Sequence, residues 1–328
     1  MLTRNQLVED RVLGRSKALG CLAGLAIGDS LGDQARSPEN HTRYGITRDL
    51  HDSVNQSTDD TEFALLTALA CIEARGDLTV EIMVDMWQRY VLSVPDLGPK
   101  AGIPLHGAAE NLRRGILPPY SGIDNCDNYD DGAAMRIAAI GVICAGDPAR
   151  AARLAMADAC ISHAQEGVWA AQAIAASIAV AMADGRVDEV IAAGMACISP
   201  DSWLGRWTAR GCAICDETND LEHAWNRLHD ELWTAVRCSS PEALAQTYAL
   251  YKLTGGDFVK GVVTAANFGR DADTLAALVG ALAGARHGAS AIPKDWIEKT
   301  RRPSGQCLPF TANLDIVDIA SKLAELIV

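Results

Sequence analysis

Apolar side chains in this 328-residue chain recur at helical spacing and nowhere in strict alternation, which excludes most sheet folds. Leu65, Leu66, Leu69 and Ile72 share one helical face; Ile316, Ile319, Leu323 and Leu326 share another near the end of the chain. Residues 167–183 are apolar nearly all round, as suits a helix buried on every side. Further helices are expected near 16–28, 80–92, 132–145, 149–162, 218–236, 241–252, 257–268 and 274–286, with a short one from Leu105 to Arg114. No run of alternating β-branched residues is bounded by a hairpin dipeptide. The pattern reads as all-α. Aromatic residues are only 5% of the chain while Ala and Gly abound, so the helices must approach closely over small side chains. No linker divides two compositions and no fixed-period repeat is present, so residues 1–328 read as a single domain.

Charge narrows the partners. Asp and Glu number 42 against 29 Lys and Arg, a net −13, and 49% of residues are hydrophobic. Such a chain has a core, which excludes disorder, and it lacks the basic footprint of a nucleic-acid binder. Ten cysteines follow no short framework and mostly sit in apolar stretches, as free thiols of a reducing compartment do. Cys212 and Cys215 form a C-x-x-C pair, but no second pair or histidine set completes a zinc site. Residues 18–28, behind Arg15 and Lys17, imitate a signal peptide, yet Glu9 and Asp10 lie where its basic region would be. Residues 167–183 hold Gln172 and fall short of a membrane span. The expectation is a cytoplasmic protein with no membrane partner and no nucleic acid.

Two short stretches concentrate the acids. Ser57-Thr58-Asp59-Asp60-Thr61-Glu62 precedes the apolar helix beginning near Phe63, and Gly269-Arg270-Asp271-Ala272-Asp273-Thr274 precedes the helix from Leu275 to Arg286. Capping of free helix N–H groups accounts for one or two acids per helix but not for so dense a grouping twice. Three acids between Asp59 and Glu62 repel one another, so a positive charge should balance them if they converge. At about 100° per residue, Asp271 and Asp273 point to nearly opposite faces of a regular helix, so acting together requires the irregular turn that Gly269 permits. Carboxylates and threonine hydroxyls are hard oxygen ligands suited to Mg²⁺, Mn²⁺ or Ca²⁺. From these residues alone, capping and a joint metal site both stand. The long polar stretches His41–Ser57, Ser93–Pro104 and Gly115–Asp131 flank the acids and read as site-lining loops.

These motifs, in this order, resemble the ADP-ribosylglycohydrolase family over roughly residues 16–290. The stretch from Gly20 through Gly24 and Gly28-Asp29-Ser30-Leu31-Gly32 is similar to the family's opening helix and G-D-x-L-G turn. Thr58-Asp59-Asp60-Thr61 resembles its first metal motif, Gly132-Ala133-Ala134-Met135-Arg136 its central helix start, and Ser162-His163 its S/T-H step. Gly269 to Thr274, followed by Gly280 to Ala285, resembles the second metal motif and closing helix. The resemblance implies a single-domain orthogonal helical bundle around two divalent cations, Mg²⁺ first and Mn²⁺ as the alternative. Its ligands would be Thr58, Asp59, Asp60, Asp271, Asp273 and Thr274, with Asp59 or Asp60 assisting deprotonation of the attacking water. The implied reaction is hydrolysis of a ribosyl glycosidic bond in an ADP-ribosylated protein or another ribose-containing small molecule. Alternatives are hydrolysis of a nucleoside or N-riboside without diphosphate, and a non-catalytic ADP-ribose binder.

The departures concern the surroundings. Arg36 stands where many members carry Glu, Ala101 where arginine-specific members carry an acid, and Arg270 where Gly is commoner. Candidate substrate contacts are Asp29, Arg36, Gly98, Lys100, Gly102, Tyr129, Asp131, Arg136 and His163, with Tyr44 and Tyr120 as stacking candidates. His163 reads first as a hydrogen-bonded structural group, and Asp29 as a helix-end support for the metal ligands. Trp203 and Trp207, four apart, read as a core stripe.

Overall fold

Glycine recurs every fourth residue from Gly20 to Gly32, which puts four side-chain-free positions on one helical face. In the computed structural model, which describes residues 2–51, 57–218 and 220–327, that face lies against a second helix with almost no gap. The two helices are Arg11–Arg36 and Ala272–His287. A Cβ at Gly20, Gly24, Gly28 or Gly32 would come within 3.0 Å of the backbone of Gly284, Gly280, Ala276 or Ala272 respectively. Each step forward on one helix meets a step back on the other, so the pair is antiparallel. Gly280 and Gly284 return the same contact from the other side. The opening helix therefore runs through Gly28-Asp29-Ser30-Leu31-Gly32 to Arg36. The expected turn there is absent, because Gly28 and Gly32 serve close approach rather than chain reversal.

Around this axis the chain is helical. Asp59–Glu73 and Glu166–Met182 are apolar over most of their surface and bury nearly all of it. Phe258–Phe268 packs on both axis helices, and Ser240–Leu253 on Ala272–His287 and on Trp203–Thr218. One contiguous apolar cluster runs from Leu7 to Ile327. Among the described residues, β pairing is confined to an isolated bridge between Asp130 and Ser239. Among the described residues, no helix is long and apolar enough to cross a membrane.

Several expected helices are present at Ile103–Arg113, Pro148–Ala159, Ser240–Leu253 and Phe258–Phe268. Others changed length. The 218–236 helix is Leu221–Glu231, and the 80–92 helix is Val80–Met86 closed by a wide turn at Trp87–Val91. The helix expected over 132–145 covers only Ala138–Ile143, behind turns at 132–136. Two loops hold helices of their own, Pro38–Tyr44 and Tyr120–Ile123. Residues 52–56 and the Tyr44 side chain lie outside what is described. Trp203 and Trp207 do pair edge to face at 5.6 Å, but both are half-buried rather than core. All ten cysteines are free thiols, six of them buried and Cys126 exposed. Burial pushes the Cys212 and Cys215 thiols up to about 11 and about 12, which makes them poor nucleophiles and poor ligands.

Candidate functional site

The glycine seam decides where the acids go. Because Gly28 and Gly32 let the two axis helices touch, Asp29 on one and Asp273 on the other come to the same place. The Asp59–Glu73 helix delivers Asp60 to it. Carboxylate oxygens of Asp29, Asp60 and Asp273 lie within 4.8 Å of one another, all buried.

Thr58 caps its helix and ties it to the axis. Its hydroxyl accepts from the Asp60 N–H at 3.3 Å and donates to Asp29 Oδ1 at 2.8 Å, while its backbone N–H donates to Asp29 Oδ2 at 2.9 Å. Thr61 adds its own N–H and hydroxyl to Asp29 Oδ2, at 3.2 and 2.5 Å. Asp29 is therefore mid-helix and central, not the helix-end group expected. Asp59 Oδ2 accepts the Gly102 N–H at 2.8 Å, so a backbone loop orients it. Asp271 occupies the N-cap, outside the regular helix, after Gly269 and Arg270 at φ +85 and +59. That irregular turn lets Asp271 and Asp273 face one cavity.

Glu62 goes elsewhere. It is fully buried and accepts the N–H groups of Gln306, Cys307 and Leu308 at 2.8, 2.9 and 2.7 Å, fastening the late loop to the site helix. Three N–H groups share one charged acceptor, so Glu62→Gln should cost about 2 kcal/mol by urea unfolding. Stability unchanged in that variant would refute the anchoring role.

The acids line a cavity of about 230 Å³. Asp59, Asp60, Asp271, Asp273, Thr274 and Asp131 are on its wall, with Arg36, Lys100, Gly102 and Arg237. Burial pushes the Asp59 carboxyl up to about 7 and that of Asp29 to about 6. Asp60 and Asp273 rise well above the usual carboxylate range, first by burial and then by their neighbouring acids. Asp131 does the same, by burial and by Asp271. Asp60 Oδ1 and Asp131 Oδ2 are buried with no hydrogen-bond partner. Orphaned buried oxygens are costly, and such crowding of hard oxygen donors fits a divalent cation.

Other candidates fall outside the cavity wall. Arg136 is fully buried on Asp158 at 2.6 Å, with Ser162 and the Gly132 carbonyl as further partners, so it does not reach a substrate. His163 holds Asp130 at 2.6 Å and Ser162 at 2.8 Å, a hydrogen-bonded group that positions its neighbours. Tyr129 faces Trp203 at 6.2 Å, and Tyr120 is 62% exposed. Gly98 turns at φ +77 and its carbonyl meets His106. Arg237 and Asp130 also line the cavity and were not among the expected site residues; Asp130 accepts the Gly132 N–H and carries His163. Arg270 lies over Trp233 and pairs with the buried Glu242, which offsets the strain of its positive φ.

A family model described as ADP-ribosylglycohydrolase matches residues 10–327. The chain belongs to the ADP-ribosylglycohydrolase family. It is 29% identical over 295 residues to the ADP-ribosyl-dinitrogen-reductase glycohydrolase of Rhodospirillum rubrum, covering 86% of this chain and 90% of that protein. An ADP-ribosylarginine hydrolase of Pseudomonas putida is 24% identical over 303 residues, 89% of this chain and 76% of that one. A solved chain of an ADP-ribosylglycohydrolase-related protein complex superposes with a TM-score of 0.64 at 23% identity, covering 96% of this chain and 99% of that chain. The all-α architecture is thus the ADP-ribosylglycohydrolase fold. Membership makes the chain a glycosidase of the class that hydrolyses ADP-ribosyl linkages.

Proposed function

We propose that this ADP-ribosylglycohydrolase cleaves the ribosyl glycosidic bond of an ADP-ribosylated protein or small ADP-ribose conjugate, with Mg²⁺, or Mn²⁺ in its place, bound among the buried acids. The observation carrying the reading is the convergence of Asp29, Asp60 and Asp273, with an unpartnered Asp60 oxygen, where Asp60 and Asp273 line the cavity. Thr58, Asp59, Asp60, Asp271, Asp273 and Thr274 would hold the metal. When bound, a divalent cation supplies a lowered pKa for water and positive charge for ribose oxygens.

The chain's own part is positioning and proton handling. The Gly102 N–H fixes Asp59 at the cavity wall, where a carboxyl near neutrality can take a proton from water. Buried anionic groups favour the positive charge that develops on the ribose as the glycosidic bond breaks.

A second reading, a nucleoside or N-riboside without diphosphate, draws on the same wall. The cavity is smaller than the roughly 300–1,000 Å³ of typical ligand pockets. Of its cationic side chains, Arg36 and Lys100 are engaged by Asp33. Arg237, which stands 3.6 Å from Asp271 but is 59% exposed, is the cation best placed to reach a diphosphate at the mouth. Incubation with Mg²⁺ and ADP-ribosyl-arginine, ADP-ribosyl-serine, nucleosides and other ribosides, with products resolved by chromatography, separates the two. Release from an ADP-ribosyl conjugate alone supports the first reading, and release from nucleosides alone supports the second. No release from any member of the panel, with metal shown to bind, would return the chain to the ADP-ribose-binding alternative.

A further inference from the structure

The two halves of the acidic site are not equally supplied with positive charge. Arg36 grips Asp273 with both ends of its guanidinium, Nη1 to Oδ1 and Nη2 to Oδ2, each at 2.6 Å, and its Nη1 reaches Asp271 Oδ1 at 3.5 Å. Arg237 Nε stands 3.6 Å from the same Asp271 oxygen. Two acids thus meet two arginines of the chain itself. Arg36 is also held from behind, because Asp33, one helical turn earlier, accepts from its Nε at 3.1 Å and is itself paired with Lys100. A planar, doubly bonded and braced guanidinium is a fixed charge, not a passing contact.

Asp29, Asp59 and Asp60 have no such partner. Their donors are neutral, the N–H groups of Thr58, Thr61 and Gly102 and two threonine hydroxyls. Among the described residues no ion pair reaches any of the three. One of the two orphaned oxygens, Asp60 Oδ1, lies on this side as well. The charge of Arg36 reaches Asp60 only through space, and buried anions with no ion-paired counter-charge need one from outside the chain.

We propose that Arg36 is the built-in cation of the Asp271–Asp273 half, so that the protein takes up a single divalent cation, at the Asp29–Asp60 edge of the cluster these two form with Asp273, beside Asp59. This rests on the metal-dependent reading above and departs from the two cations that the resemblance implies. Arg36 holds by charge the position that a second ion would fill. Replacing its guanidinium with a neutral group uncovers Asp271 and Asp273, and a second ion follows.

The test is a count. Metal-free protein is loaded with Mn²⁺, freed of excess by gel filtration, and analysed for manganese per chain, with electron paramagnetic resonance on the same sample. The wild type should hold one ion and give the isolated six-line signal; Arg36→Gln should hold two and give an exchange-coupled spectrum. Two ions in the wild type, or one ion in both proteins, overturns the proposal while leaving metal dependence standing. No ion in either protein overturns the metal-dependent reading itself, and this inference with it. The wild-type count and spectrum decide the matter even if Arg36→Gln fails to fold.

Discussion

Asp60→Asn should be inactive in Mg²⁺ and yet more stable than the wild type in EDTA. The loss of turnover is expected to be about 10³-fold or more, on the scale of removing a central electrostatic group from an active site. The gain in stability follows from burial. Asp60 is 1% exposed, one of its oxygens has no partner, and Asp273, Asp29 and Asp59 crowd it with like charge. An unfolded aspartate loses its proton near pH 4, whereas the folded Asp60 keeps it to well above the usual carboxylate range. Between those points the folded chain binds more protons than the unfolded one, so native stability falls as pH rises. Asparagine has no such proton and carries no charge to desolvate. The advantage of the variant in EDTA should therefore be small at pH 4 and reach about 1–3 kcal/mol near pH 8, the usual cost of an orphaned buried group. Mg²⁺ should raise the melting temperature of the wild type and leave that of Asp60→Asn unchanged. Melting curves at the two pH values, with and without Mg²⁺, check all of this. A variant that still melts higher in Mg²⁺ would remove Asp60 from the ligand set.

Much of the fold was legible because each helix carries its own apolar period, and this is a local property. The failures were also local. Residues 132–136 are rich in helix formers, but Asp130 takes the Gly132 N–H and Arg136 turns back onto the Gly132 carbonyl and Asp158, so side chains outbid the helix ladder. Trp203–Thr218 was not among the expected helices, and it carries Gly205 and Gly211 in its interior. In the fold they are contact points, facing the backbone of Ser199 and Ala245.

The site divides in the same way. The two acidic stretches were visible as unusual density at helix starts, and the need for an irregular turn before Asp273 could be stated from helix geometry alone. The central role of Asp29 was underestimated, since nothing near position 29 says that residues 58 and 61 will bond to it. Glu62 looked like a third acid of one cluster, and only the late loop at 306–308 reveals what it holds. Arg36 stood out as a departure, but its grip on Asp273 depends on two helices meeting 237 positions apart in sequence.

Gly28→Ala should cost about 3 kcal/mol or more and weaken divalent-cation binding, although it adds only one methyl group within a helix. The added Cβ would meet the carbonyl carbon and oxygen of Ala276 and the nitrogen of Ala277. These are backbone atoms inside a helix, so no rotamer change relieves the clash; the helices must separate. Separation at this level moves Asp29, the next residue, away from Asp273 and so opens the acid cluster. Gly20→Ala provides the comparison. Its Cβ would clash equally with the backbone of Gly284 and Gly288, but it sits eight residues, about 12 Å, further along the helix from Gly28. Both variants should lose stability by urea unfolding, and only Gly28→Ala should also lose cation affinity by calorimetry. Equal loss of affinity in the two would mean that the seam acts as one rigid unit; full stability in both would mean that the helices are not in backbone contact. The seam is thus what turns two distant acidic stretches into one site, and its separate effects on stability and on cation affinity measure how tightly architecture and chemistry are joined in this chain.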